Sequence, residues 1–257
     1  MQYLYHFAYI IGKYPGRNLI HKPATMLFKK FILVNIIVFF VCNCRAQDTV
    51  KKRNRLTPSV VETFFVLRSN KEIKQGLYQA VYRGEIPLAS GKYFNNKRVG
   101  MWHFYDLNGT LLENFNYDRN AMLYEKPDNV LSQVQIQYSF DNKIADSDRV
   151  TKPIKPGGRI FGYIPYMRVF KLSDDYIGTD PRLFVAILEL LVSPGGRLAD
   201  FKVHIQSDDS ERITTFSPEL LSDEDKIFVP ANINGQPVIS RIFVKCRVTD
   251  TGELDVD

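Results

Sequence analysis

The stretch Gly91-Lys-Tyr-Phe-Asn-Asn-Lys-Arg-Val-Gly-Met-Trp-His-Phe-Tyr-Asp-Leu-Asn-Gly109 constrains the fold more than any other part of the chain. Asn95-Asn96 can enter the left-handed region that a tight reversal demands, and Asn108-Gly109 is the strongest two-residue hairpin signal. Between the two turns, Trp102 and Phe104 alternate with Met101, His103 and Tyr105 as strand residues do. Such a segment cannot sit as a helix; it must run back and forth as antiparallel strands. Val60-Val-Glu-Thr-Phe-Phe-Val-Leu67 reads as an earlier strand of the same kind, ended by Arg68-Ser-Asn-Lys71. The aromatic share of 13% favours strands in the same direction.

The pattern Gly-x-Tyr-x-Asn-x-Lys-x-x-Gly-x-Trp-x-x-Tyr-x-x-x-Gly resembles the MORN-type (membrane occupation and recognition nexus) repeat, in the variety found in bacterial envelope proteins. The resemblance implies that Tyr93, Trp102 and Tyr105 pack between hairpins and that Gly91, Gly100 and Gly109 allow the reversals. One repeat is complete. Lys74-Gln-Gly76-Leu-Tyr78 resembles the start of an earlier unit and Asn114-Phe-Asn-Tyr117-Asp118 the start of a later one, while Asn96 stands where the repeat usually has Gly. Core packing explains these aromatics more cheaply than a binding face for a partner or a lipid. Asn108-Gly-Thr110 also matches a glycosylation acceptor, but its place in a turn already accounts for it.

Residues 141–160 carry charges, Pro153, Pro156 and Gly157-Gly158, which mark a linker. Beyond it, Leu183-Phe-Val-Ala-Ile-Leu-Glu-Leu-Leu-Val192 and the alternating Arg197–Gln206 flank Ser193-Pro-Gly-Gly196, the pattern of a β-hairpin; a helix over 183–192 is the competing reading. Ile213, Phe216, Leu220 and Leu221 fall at helical spacing and predict an amphipathic helix, split where Ser217-Pro218 reads as a cap followed by proline at the first helical position. Ile239–Val248 reads as a final strand.

The Val192-x-Pro-Gly-Gly-Arg-Leu198 hairpin, Phe228-x-Pro-Ala231 and Asn234-Gly-Gln-Pro-Val238 resemble the C-terminal domain of TonB, the periplasmic module that links inner-membrane energy to outer-membrane receptors. The resemblance covers about residues 160–250 and implies a sheet-edge strand at Arg241–Val248, with Arg241, Phe243, Lys245 and Arg247 meeting a partner by β-augmentation. The chain has no long Pro-rich spacer, so a docking module fits better than an energy transducer. The expected fold is mainly β with α+β: a MORN-like antiparallel segment over 47–140, a linker over 141–160 and a TonB-like α+β domain over 161–257.

Charge and export go together. The chain carries 34 Lys and Arg against 28 Asp and Glu, a formal +6. Residues 1–46 hold Lys13, Arg17, Lys22, Lys29, Lys30 and Arg45 and no acid, so the surplus lies wholly there and the remainder sums to zero. Nucleic acid, which demands a basic face, is therefore not an expected partner. Lys29-Lys30 precedes the apolar run Phe31–Cys42, the length of a signal-peptide core rather than a membrane span, and Ala46 offers a small residue before a cut. Residues 1–46 are thus expected to be an upstream extension, with the gene start at Met26, and a signal directing the protein to the periplasm of a Gram-negative bacterium. Membrane association would follow only from an uncut segment or from lipidation of Cys42 or Cys44.

Chemistry-bearing patterns are sparse. His103 and His204 stand without a Cys or carboxylate at ligand spacing, and the acidic stretches 207–211 and 222–225 lack the spacing of a calcium loop. No nucleophile elbow, P-loop or dinucleotide fingerprint is present. Neither a cofactor nor catalysis is expected. The alternatives are a TonB-type transducer subunit and a hydrolase using Cys246 with His204.

Overall fold

The computed structural model describes residues 48–127, 135–173, 180–208 and 210–256; the expected upstream extension and signal segment, residues 1–46, lie outside them. Alternation and turn chemistry first build a seven-stranded meander in which every strand pairs antiparallel with the next: β1 (Thr49–Arg55), β2 (Val60–Leu67), β3 (Lys74–Tyr82), β4 (Ile86–Phe94), β5 (Lys97–Tyr105), β6 (Leu111–Asn116) and β7 (Ala121–Glu125). Asn95 and Asn96, at φ 48° and 67°, make the β4–β5 reversal as expected. The β5–β6 reversal is a longer loop than a two-residue turn: Gly109 is left-handed at φ 78°, and the Asp106 carboxylate accepts from the Asn108 and Thr110 N–H groups.

The chain then forms β8 (Ile136–Phe140), β9 (Val150–Thr151), a 3-10 turn at Phe161–Tyr163 and the four-residue helix α1 (Ile164–Met167). The expected hairpin is β10 (Val185–Val192) with β11 (Leu198–Ser207), followed by β12 (Ser210–Phe216), β13 (Ala231–Ile233), β14 (Gln236–Val238), β15 (Ser240–Val248) and β16 (Leu254–Asp255). The second sheet runs β12-β11-β10-β15-β16, with β8 also laddered to β15; β14, β13 and β9 make a third, small sheet. The protein is mainly β. No helix among the described residues is long and apolar enough to cross a membrane.

Two expectations are corrected. The helix predicted over Ile213–Leu221 is absent: Ile213 and Phe216 lie in β12, and only Pro218–Leu220 turns, as a 3-10 segment capped by the Ser217 hydroxyl accepting from the Glu219 N–H. Nine residues are too few to tell a 3.6 period from a 2 period, and the open edge of β11 offers ladder hydrogen bonds a short helix cannot match. Residues 141–160, expected as a linker, include β9 and the buried run Lys155–Gly158. Residues 48–257 form one compact unit, and β8, within the range assigned to the first segment, belongs by pairing to the second sheet.

The core lies between the two large sheets. Phe161 stacks on Phe104 and meets Tyr78 edge-on, on the first sheet. Tyr166, five residues on, packs against Phe201 of the second. Gly157 and Gly158, both at positive φ, let this connection press in: a Cβ at 158 would stand 2.9 Å from the Phe104 Cβ, and one at 157 would stand 2.8 Å from the Gly162 Cα.

Candidate functional site

The residues that carry the repeat resemblance are packing residues. Trp102 is fully buried, its Nε1–H donating to the Lys92 carbonyl at 3.2 Å. Tyr93 meets it edge-on at 5.2 Å, Tyr78 at 5.1 Å and Phe104 at 6.1 Å. Gly91, in extended backbone, lies under the indole, where a Cβ would come within 2.2 Å of the ring. Gly100 and Gly109 take positive φ, and Tyr105 is half-buried at the end of β5.

Around this aromatic cluster the first sheet is clasped by charge to the loop before β13. Arg98, on the Trp102 face of β5, is buried; its Nη1 donates to the Tyr117 hydroxyl at 3.0 Å and its Nε to the Tyr93 hydroxyl at 3.4 Å. Its guanidinium reaches Glu224 at 3.6 Å and Asp225 at 3.8 Å, in the loop before β13, and lies 5.3 Å from the Trp102 ring centre. Burial works against this charge, yet Tyr117, Tyr93 and Asp225 together hold it well above the ordinary arginine range. The same loop is gripped from the connection: the Lys155 ammonium donates to the Glu224, Asp225 and Ile227 carbonyls at 3.2, 2.9 and 3.1 Å, and the Tyr166 hydroxyl donates to the Asp225 carbonyl. All three N–H groups of Lys155 are thereby used, and none is left for a ligand. Burial pushes Lys155 down to about 7, against the pull of Asp225.

A second inward charge sits nearby. Glu113 accepts from the Gly157 and Gly158 N–H groups at 3.0 and 2.9 Å; burial still pushes its carboxyl up to about 7. Between the first sheet, the Phe161–Arg168 connection and the loop before β13, a cleft of about 280 Å³ is lined by Glu62, Lys74, Arg98, Arg168, Glu224 and Asp225, an even balance of charge. Of the acidic side chains in the stretch 222–225, only Asp223 points well into water, at 86% side-chain exposure. Glu224 and Asp225 are half of the clasp. Strand alternation alone places Arg98, Glu62 and Glu113 on inward positions, and that was the available sign of a buried charge network; their partners lie far off in sequence.

The partner-binding edge predicted at Arg241–Val248 is not an edge. β15 pairs with β10 over Ser240–Cys246 on one side; on the other, β8 covers Ser240–Val244 and β16 covers Arg247–Val248. Arg241 is bound to Asp141 and Glu189, Phe243 lies between Glu189 and Gln137, and Arg247 bonds the buried Asp255 at 3.1 Å. Of these four, only Lys245 stands exposed with no ion pair among the described residues. Main-chain groups already laddered on both sides cannot accept another strand. Among the described residues the free flanks are β12 in the second sheet and β1 and β7 in the first.

The Cys246–His204 pairing fails on register. Ala186 of β10 stands opposite both Ile205 and Cys246, whereas Ile187 stands opposite His204 and Lys245. Cys246 therefore lies on the buried face and His204 on the outer one. The His204 ring is held between Glu189 at 2.7 Å and Glu211 at 3.0 Å. Among the described residues no three His, Cys, Asp or Glu side chains converge as metal ligands.

One surface is open and shaped to receive something. The outer face of the first sheet carries a groove of about 710 Å³ with an apolar floor of Phe65, Leu77, Val99 and Met101, flanked by Lys51 and Lys92. Leu77 is 59% and Met101 37% exposed. No protein-family model, no curated protein and no solved structure matches this chain.

Proposed function

We propose that this is a non-catalytic docking protein of the Gram-negative cell envelope, exported by its N-terminal segment, which binds a protein partner on the outer face of its first sheet. The observation that carries the reading is the groove: exposed Leu77 and Met101 with half-buried Phe65 and Val99 on one sheet face, rimmed by Lys51 and Lys92 against the single acid Asp118. That chemistry suits a segment with apolar side chains and a net negative charge. The use of the reactive side chains supports a non-catalytic role, since Lys155 and Arg98 are spent on the clasp and Cys246 faces away from His204. The link to TonB-dependent import that the second resemblance implies belongs to the same reading, without the β15 edge.

The test is a photo-crosslinking residue at Leu77 in intact cells, with fractionation and N-terminal sequencing of the tagged chain. An envelope partner lost on Lys51→Glu/Lys92→Glu is expected. Recovery of cytoplasmic proteins alone would overturn export, and a mature chain still beginning at Met1 or Met26 would overturn signal cleavage. If deletion leaves energy-dependent import unchanged, the TonB-linked part is dropped and docking stands.

A further inference from the structure

We propose that β12 pairs with β12 of a second copy, antiparallel across a two-fold axis, joining two second sheets edge to edge. This contact goes beyond the docking reading and uses a different part of the molecule from the groove. The seven residues Ser210–Phe216 ladder to β11 on one side, and among the described residues no strand lies on the other. Ile213 is 52% exposed on the outer face, beside His204. An unpaired row of main-chain donors and acceptors is a template for another strand unless it is guarded by charge. Of the two flanks of the first sheet, β1 and β7, the former is guarded. β1 carries Lys51, Lys52, Arg53 and Arg55, which would meet one another in any pairing with itself.

The sequence of β12 is self-complementary by contrast. A two-fold axis between antiparallel strands stands perpendicular to the sheet, so each residue keeps its face and meets a residue of the same parity. Centred on Ile213, all seven residues pair: Glu211 meets Thr215, Arg212 meets Thr214, Ser210 meets Phe216, and Ile213 covers Ile213. Sliding one way sets Arg212 on Arg212, and one step further Glu211 on Glu211. Sliding the other way sets Thr214 on Thr214, leaving two residues unpaired and Ile213 opposite Thr215. Only the Ile213-centred register combines full overlap, no like-charge pair and mutual cover of the exposed side chain. Glu211 keeps its contacts to His204 and Gln206 within its own copy.

The experiment is site-specific disulfide trapping in the full chain, held in a non-ionic detergent because of its apolar 31–42 run, with Cys42 and Cys44 replaced by Ser and the buried Cys246 retained. Directly opposed strand residues stand within the Cα separation a disulfide spans, so Ile213→Cys on the axis is expected to be trapped mainly as a dimer under mild oxidation. Ser210→Cys, whose counterpart lies at the far end of the paired strand, is expected to stay unlinked. Ile213→Arg sets two cations on the axis and should weaken sedimentation dimers about tenfold or more, with the circular dichroism of the native sheet retained. Association through the apolar N-terminal run would give a dimer indifferent to Ile213→Arg and equal trapping at both cysteines, and that result overturns the proposal. A chain that stays monomeric at several hundred micromolar overturns it too. Neither result bears on the Leu77 crosslink.

Discussion

Gly91→Ala is the smallest change that tests how the first sheet is held together. Gly91 lies in extended backbone, so alanine meets no conformational penalty there; the obstacle is the indole. The new methyl would stand 2.2, 2.3 and 2.5 Å from Cδ2, Cε2 and Cγ of Trp102, where carbon atoms rest about 3.5–4 Å apart. The ring must move by more than about 1 Å, yet Tyr78, Tyr93, Phe104 and Tyr117 enclose it and its Nε1–H is bonded to Lys92. Overpacking of a core costs about 1–3 kcal/mol, and losing a buried Trp about 3–5 kcal/mol. A displaced but not expelled indole falls between, at about 3 kcal/mol, which for a unit of this size lowers Tm by about 6–12 °C. Trp102 is the only tryptophan, so its fluorescence reports the site alone: the emission of Gly91→Ala should shift to the red in the native baseline, and urea unfolding should give the destabilisation. In a Trp102→Ala background, followed by circular dichroism, the same Gly91→Ala should cost under about 1 kcal/mol, because the clash has gone and alanine restrains the unfolded chain. A loss below about 1 kcal/mol in the wild-type background, or an equal loss in both, would refute the steric account.

Four further outcomes follow from the inward charges. Arg98→Met leaves Asp225 and Glu224 unmatched against the sheet and should destabilise by about 3 kcal/mol in denaturant titrations, more than a surface arginine would. Glu113 is raised from 4.5 to about 7, so its contribution to stability is full below pH 4.5 and is lost as pH rises through 7, by roughly 3 kcal/mol; Glu113→Gln should flatten that part of the stability–pH curve. Lys155 is lowered from 10.5 to about 7, so its contribution is present above pH 10.5 and lost as pH falls through 7; Lys155→Met should remove that slope, and a slope that survived in either variant would exclude the assignment. Asp255→Ala strips the buried Thr57 hydroxyl of its acceptor and should cost about 2 kcal/mol in urea unfolding, with little of it from the half-exposed Arg247.

Local chemistry determined most of the strands and turns. Asn95-Asn96, Ser193-Pro-Gly-Gly196 and the alternation through Lys97–Tyr105 and Arg197–Gln206 specify hairpins without reference to the rest of the chain, and Ser217-Pro218 specifies its own short cap. Each of these signals is complete within a few residues, so it survives reading in isolation. Inward charges were legible to the same degree: alternation sets Arg98 beside Trp102, while Lys155 gives no local sign of burial. What the sequence alone could not decide is which edges stay open and which charges find partners. β15 alternates as any half-buried strand does, and it becomes interior only because β8, about a hundred residues earlier, and β16, at the chain's end, ladder to it. The Arg98–Asp225 clasp spans a similar separation. Ladder pairing and charge pairing depend on distance in space, and only the packing of the two sheets brings those groups within a few ångströms.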